Sequence, residues 1–123
     1  MRARVRETYT VQYPDPIQVP SGAFVTVFHR DERFTHWVWC RAEDGRQGWV
    51  PERILSSTRP GKAHVTEPYD ATELPLEAGE TVELVKEFDG FAWGRRADGR
   101  EGWFPIAILE RTSKSKASGG ARN

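Results

Sequence analysis

Short runs in which apolar and polar side chains alternate dominate this chain. In Thr81-Val82-Glu83-Leu84-Val85, Val82 and Leu84 fall on one face and Thr81 and Glu83 on the other. That period of two predicts a half-buried antiparallel strand. Phe24-Val25-Thr26-Val27-Phe28 is a second β-branched and aromatic run with strand character. No segment carries a convincing helical period, and Pro75 and Gly79 argue against a helix over Leu74 to Val85. Asp44-Gly45 and Asp98-Gly99 lie between aromatic-rich runs and mark tight hairpins. A two-residue turn at each would set Cys40 opposite Trp49 and Gly94 opposite Trp103.

The pattern occurs twice. Val5-Arg6-Glu7-Thr8-Tyr9 returns as Val65-Thr66-Glu67-Pro68-Tyr69, and Ile17 to Gly22 returns as Leu74 to Gly79. Trp37-Val38-Trp39-Cys40-Arg41 returns as Phe91-Ala92-Trp93-Gly94-Arg95. Asp44 to Pro51 returns as Asp98 to Pro105, and Ile54-Leu55 as Ile108-Leu109. The order is kept while the offset falls from 60 to 57 to 54, so the second copy has two loops shorter by three residues each. A sheet of about five short strands leaves exposed edges unless it curls on itself. The expectation is an all-β chain of two small barrels: a first domain over 1–57, a linker over 58–63, a second domain over 64–111 and a disordered basic tail over 112–123.

Charge and composition narrow the function classes. Residues 1–58 hold eight Lys/Arg and seven Asp/Glu, residues 59–110 six and eleven, and residues 111–123 four and none. An acidic second half does not suit duplex DNA, and no nucleic-acid partner is expected. No apolar run approaches the roughly 20 residues that span a bilayer, and no export signal is visible, so a cytoplasmic chain with no membrane partner is expected. Cys40 is the single cysteine, and His29, His36 and His64 show no metal spacing. Glycines 45, 48, 99 and 102 read as turn and close-packing positions, since no helix follows to cradle a phosphate. No catalytic, metal or cofactor motif stands out, and an enzyme is not expected.

These residues resemble Src-homology-3 domains over about 5–55 and 65–109. The most specific marker is Gly-x-x-Gly-Trp-(Val/Phe)-Pro at 45–51 and 99–105, joined by the Leu-Pro-Leu-Glu-Ala-Gly-Glu run at 74–80. Bacterial variants of the domain are common, and this chain reads like one. The resemblance implies a shallow aromatic groove that binds extended, proline-rich peptides in the polyproline II conformation. By position, Trp37 stands at the groove tryptophan, and Pro51 and Pro105 at the groove proline. Tyr9 and Tyr69 stand at the second tyrosine of the opening motif, and Trp49 and Trp103 at an aromatic flanking the groove. Asp15 and Glu73 lie in the acidic loop that would pair with a basic ligand residue. Departures thin each pocket: Glu7 and Glu67 replace one tyrosine, Ile54 and Ile108 another, and Phe91 replaces the tryptophan in the second copy. The first copy is therefore expected to be the better binder.

Each aromatic also has a packing alternative. Trp37 could anchor a groove or pack between domains, and Trp49 and Trp103 could wall a groove or join the barrels. Trp39 and Trp93 read as core or barrel-wall packing. Two functions follow: a non-catalytic tandem module binding extended peptide or protein partners, or a scaffold whose grooves are occluded between the barrels.

Overall fold

The computed structural model describes residues 1–110, and the tail expected over 112–123 lies outside them. The two β-rich repeats form matching antiparallel meanders. The first is β3 (Phe24–Arg30), β4 (Trp37–Ala42) and β5 (Gln47–Pro51), followed by a 3-10 turn at Glu52–Ile54 and β6 (Leu55–Arg59). The second is β9 (Thr81–Phe88), β10 (Phe91–Arg95) and β11 (Glu101–Pro105), followed by a 3-10 turn at Ile106–Ile108. The alternation in β9 holds: Val82 is buried and Leu84 half-buried, while Thr81 and Glu83 are exposed.

The hairpin register differs from the two-residue expectation. Trp39 pairs with Trp49 and Cys40 with Gly48, and likewise Trp93 with Trp103 and Gly94 with Gly102. The cause is a three-residue loop. Ala42 N–H donates to Arg46 O at 2.9 Å and Gly45 N–H donates to Ala42 O at 3.0 Å. Only the glycine turns left-handed, with φ +92° at Gly45 and +91° at Gly99, the mark of a type I turn closed by a bulge. The one-residue change places small residues opposite each other and indole opposite indole.

The strands that complete each barrel come from the other repeat. β1 (Arg2–Arg4) pairs with β9 in the register Ala3 to Val82, and Val5 bridges Leu109. Val5 is buried with Leu74, Leu76, Val82 and Phe104 in the second core. Conversely, β7 (Lys62–Val65) lies between β3 and β6, and Val65 is buried with Ile17, Val25, Val38 and Cys40 in the first core. The loop arms follow the same exchange. β8 (Tyr69–Asp70) pairs with β2 (Gln18–Val19), and Tyr9 bridges Leu76.

A local feature explains the exchange. Residues 58–63, expected as a linker, are the end of β6, the Pro60-Gly61 turn and the start of β7. Arg59 pairs with Lys62, and Gly61 has φ +76°. A turn this short makes β6 and β7 adjacent antiparallel strands of one sheet. β7 therefore occupies the first barrel's opening-strand position, and residues 2–9 fill the equivalent position in the second. The chain crosses between barrels at 10–16 and 71–73.

Candidate functional site

Exchange brings the aromatic faces of the two barrels together. Val38 and Cys40 point into the first core, so Trp37 and Trp39 point to the outer face of β4. Trp37 meets Phe88, Phe91 and Trp103 of the second barrel at centroid distances of 5.2, 5.6 and 5.2 Å, all edge-to-face. Such pairs add to the burial of the rings themselves. Trp37 is 4% exposed and Trp103 6%. Their indole nitrogens are satisfied across the seam: Trp37 Nε1 donates to Asp89 O at 3.0 Å and Trp103 Nε1 donates to Asp70 O at 3.1 Å.

The β9–β10 tip fastens one end of the seam. Asp89 adopts φ 38°, a costly conformation for a non-glycine residue. His36 N–H donates to its carboxylate at 3.0 Å, which helps to hold it there. Gly90 lies against the Phe34 ring, where an added Cβ would fall 2.3 Å from Cε1. Phe34 also packs on Phe91 at 5.2 Å.

Beside these buried rings runs an open groove of about 300 Å³, within the range of ligand sites. Eight of its fifteen lining residues are aromatic. Phe34, Trp37, Trp49 and Tyr69 come from the first barrel, Tyr9, Phe91 and Trp103 from the second, and Tyr13 from the crossover. Tyr13 packs at a tilt on Trp39 at 5.3 Å, and Trp39 meets Trp49 edge-to-face at 5.0 Å, so the aromatic surface continues out along the first barrel.

The polar groups mostly hold the walls. Glu73 accepts from Tyr9 OH at 2.5 Å and from the N–H groups of Gln12 and Tyr13 at 3.1 and 2.8 Å. Burial, then the hydrogen bond to Glu73, raises the Tyr9 phenol well above its ordinary range. Tyr69 OH donates to Trp49 O at 2.7 Å, and burial raises that phenol too. Asp31 accepts from the N–H groups of Arg33 and Phe34, shaping the loop before β4.

Of the residues singled out from sequence, Tyr9, Trp37, Trp49, Tyr69, Glu73, Phe91 and Trp103 line this groove. Pro51 lines a second cleft of about 680 Å³ that shares Tyr69 and Trp103 with the first. Asp15 stays exposed and, like Pro105, lines neither cleft. Sequence reasoning missed Tyr13 and Phe34, which lie on irregular segments outside the strands. Trp39, expected as a packing residue, lines neither cleft and packs against Tyr13 and Trp49.

Among the described residues no group of three or more His, Cys, Asp or Glu is arranged to hold a metal ion. Cys40 is buried, and desolvation pushes its thiol up to about 12, so it stays protonated at neutral pH. No helix among the described residues is long and apolar enough to cross a membrane.

Two small β-barrels joined along an aromatic seam define an all-β tandem module of the Src-homology-3 type. The variant SH3 domain model matches residues 2–57 and 64–111, and the chain belongs to that family. Each match opens with a strand that the fold places in the other barrel. The chain is 32% identical over 121 residues to the mouse "SH3 and PX domain-containing protein 2B" and 31% to the human one, covering 85% of this chain and 13% of each relative. It is 29% identical over 68 residues to the Caenorhabditis elegans "Sorbin and SH3 domain-containing protein 1 homolog", covering 55% of this chain and 6% of that protein. The chain thus spans about one eighth or less of the length of these relatives. No solved structure matches it. Domains of this family are protein-interaction modules, and the chain is placed in that class.

Proposed function

We propose that the chain is a non-catalytic module that binds one extended, proline-containing segment of a protein partner in the groove along the seam. The supporting observation is that a single groove is lined by aromatic rings from both barrels. A polyproline II segment is already extended, loses little freedom on binding, and offers flat ring faces to flat rings. The first barrel and the crossover supply five of the eight aromatic rings, in line with its stronger share of binding.

Trp37 has a different part from the one its position suggested. Its burial against Phe88, Phe91 and Trp103 favours the occluded reading for that ring and for Trp103, which is buried with it. It holds the barrels together, while Tyr13, Trp39 and Trp49 present the docking face. Glu73 holds the crossover through three hydrogen bonds and is a positioning residue.

The test is affinity for proline-containing peptides measured by titration calorimetry. Binding in the micromolar range or weaker, about −8 kcal/mol or less in magnitude, is expected. Trp49→Ala and Tyr13→Ala should each weaken it about tenfold or more while leaving the fold intact. Peptide affinity unchanged by both substitutions, or no binding across a broad peptide array, would count against the reading.

A further inference from the structure

The two repeats differ in charge on the outer faces of their sheets. In the second barrel, Arg95 of β10 stands opposite Glu83 of β9 and Glu101 of β11 and pairs with both, at 2.8 and 3.7 Å. Arg2 of β1 faces Glu83 from the other side. In the first barrel the matching cation is Arg41 of β4, opposite Thr26 of β3 and Gln47 of β5, and Lys62 of β7 faces Thr26. The cations are kept, and a neutral side chain stands in place of each carboxylate.

The difference extends across the sheet. β3, β4, β5, β6 and β7 contain no Asp or Glu but carry Arg30, Arg41, Arg59 and Lys62. Arg30 pairs with Glu52 of the 3-10 turn. Among the described residues Arg41, Arg59 and Lys62 are in no ion pair. Arg41, Thr26, Lys62 and Arg59 follow one another across β4, β3, β7 and β6, and such cross-strand neighbours lie about 5 Å apart. Lys62 Nζ donates to Thr26 Oγ1 at 2.9 Å, which holds the ammonium over the sheet. Two rings flank this row: Phe24 is 55% exposed and Phe28 47%. The Arg41 guanidinium lies over the Phe28 ring at 5.2 Å. The core does not use these rings, since Val25, Val38, Ala63 and Val65 fill it from the same strands.

We propose that this outer face of the first barrel is an interaction surface for an acidic segment of a protein partner that also carries apolar side chains. Charge complementarity selects the occupant. Neighbouring cations without counter-charges repel one another in the free protein, and carboxylates from a partner relieve that repulsion and accept charge-assisted hydrogen bonds. Apolar side chains of the same segment cover Phe24 and Phe28. An anionic bilayer fits less well. Lipid-binding clusters hold about four to eight cations, and these rings lie on a sheet face, not on a protruding tip. None of Phe24, Phe28, Arg41, Arg59 and Lys62 lines the seam groove, so the inference does not rest on the peptide-binding reading.

The probe is a short labelled peptide of alternating glutamate and leucine, and its control is the same peptide with lysine for glutamate. The full chain should bind the acidic peptide at least about tenfold more tightly than the basic one, and less tightly as salt is raised. Amide shifts should map to Thr26, Arg41 and Lys62. Thr26→Glu with Gln47→Glu copies the carboxylates of the second barrel, keeps every cation, and should weaken binding about tenfold or more. Gln47 accepts from Trp39 Nε1 as Glu101 does from Trp93 Nε1, both at 2.8 Å, so the exchange preserves that bond. If that variant does not fold, Arg41→Gln with Lys62→Gln should give the same loss. Equal affinity for the two peptides, shifts confined to other surfaces, or binding unchanged in the folded variants overturns the proposal. So does capture by phosphatidylserine vesicles or single-stranded oligothymidylate without binding of the acidic peptide.

Discussion

At the scale of single residues, Trp37 and Trp49 have sharply different roles although both are indoles on the same barrel. Trp37 is sealed among three aromatic rings of the other barrel with its nitrogen satisfied. Trp37→Ala should cost about 3–5 kcal/mol of stability, read from denaturant unfolding, because it leaves a cavity at the seam. Trp49 is half-buried, and its loss should lower affinity more than stability. Cys40 gives an alkaline signature. Burial lifts its thiol from an ordinary value of 9.0 to about 12. A raised folded-state value means that the contribution is complete below pH 9 and is lost as pH rises toward 12. Stability should fall over that window, and Cys40→Ala should flatten the fall. A thiol reagent at pH 8 should modify Cys40 only after unfolding. The sequence marked these residues as candidates, but burial depends on what lies opposite. Nothing near Trp37 in the chain indicates Phe88 or Trp103.

Elements carry the second lesson. The β9–β10 tip meets the first barrel through Asp89 and Gly90, and a side chain at Gly90 would meet the Phe34 ring at a φ of +84°. Gly90→Ala should destabilise the chain by about 1–3 kcal/mol, measured by thermal unfolding, and loosen the seam. Gly102 is constrained by closeness alone: an added Cβ would lie 2.7 Å from the Glu73 carbonyl carbon. The strands of both meanders were legible in the sequence from alternation and from the repeated Gly-x-x-Gly-Trp motif. The hairpin register was not, because Asp-Gly suits both a two-residue turn and the last two positions of a three-residue one. Nor was the exchange. The repeats fill equivalent positions in the two barrels, so Val5 and Val65 fit either core by local pattern. Pro60-Gly61 decides between them, and its composition suits a linker as well as a tight turn.

On the scale of the whole molecule, the two barrels are interdependent. Each core contains residues from both repeats, so unfolding one removes a strand from the other. A single cooperative transition, coincident by tryptophan fluorescence and circular dichroism, is expected. Lengthening the Pro60-Gly61 turn with a flexible insert should release the hairpin constraint and split that transition in two. The same interdependence creates the groove, whose walls come from opposite barrels. Two independent domains would each bind a peptide, whereas one shared groove binds one. The most direct measurement is therefore stoichiometry, by calorimetric titration of the intact chain with a proline-containing peptide. One peptide per chain, with amide shifts at both Tyr9 and Trp49, is the expected result. Two equivalent peptides per chain, or shifts confined to one barrel, would contradict a groove shared along the seam.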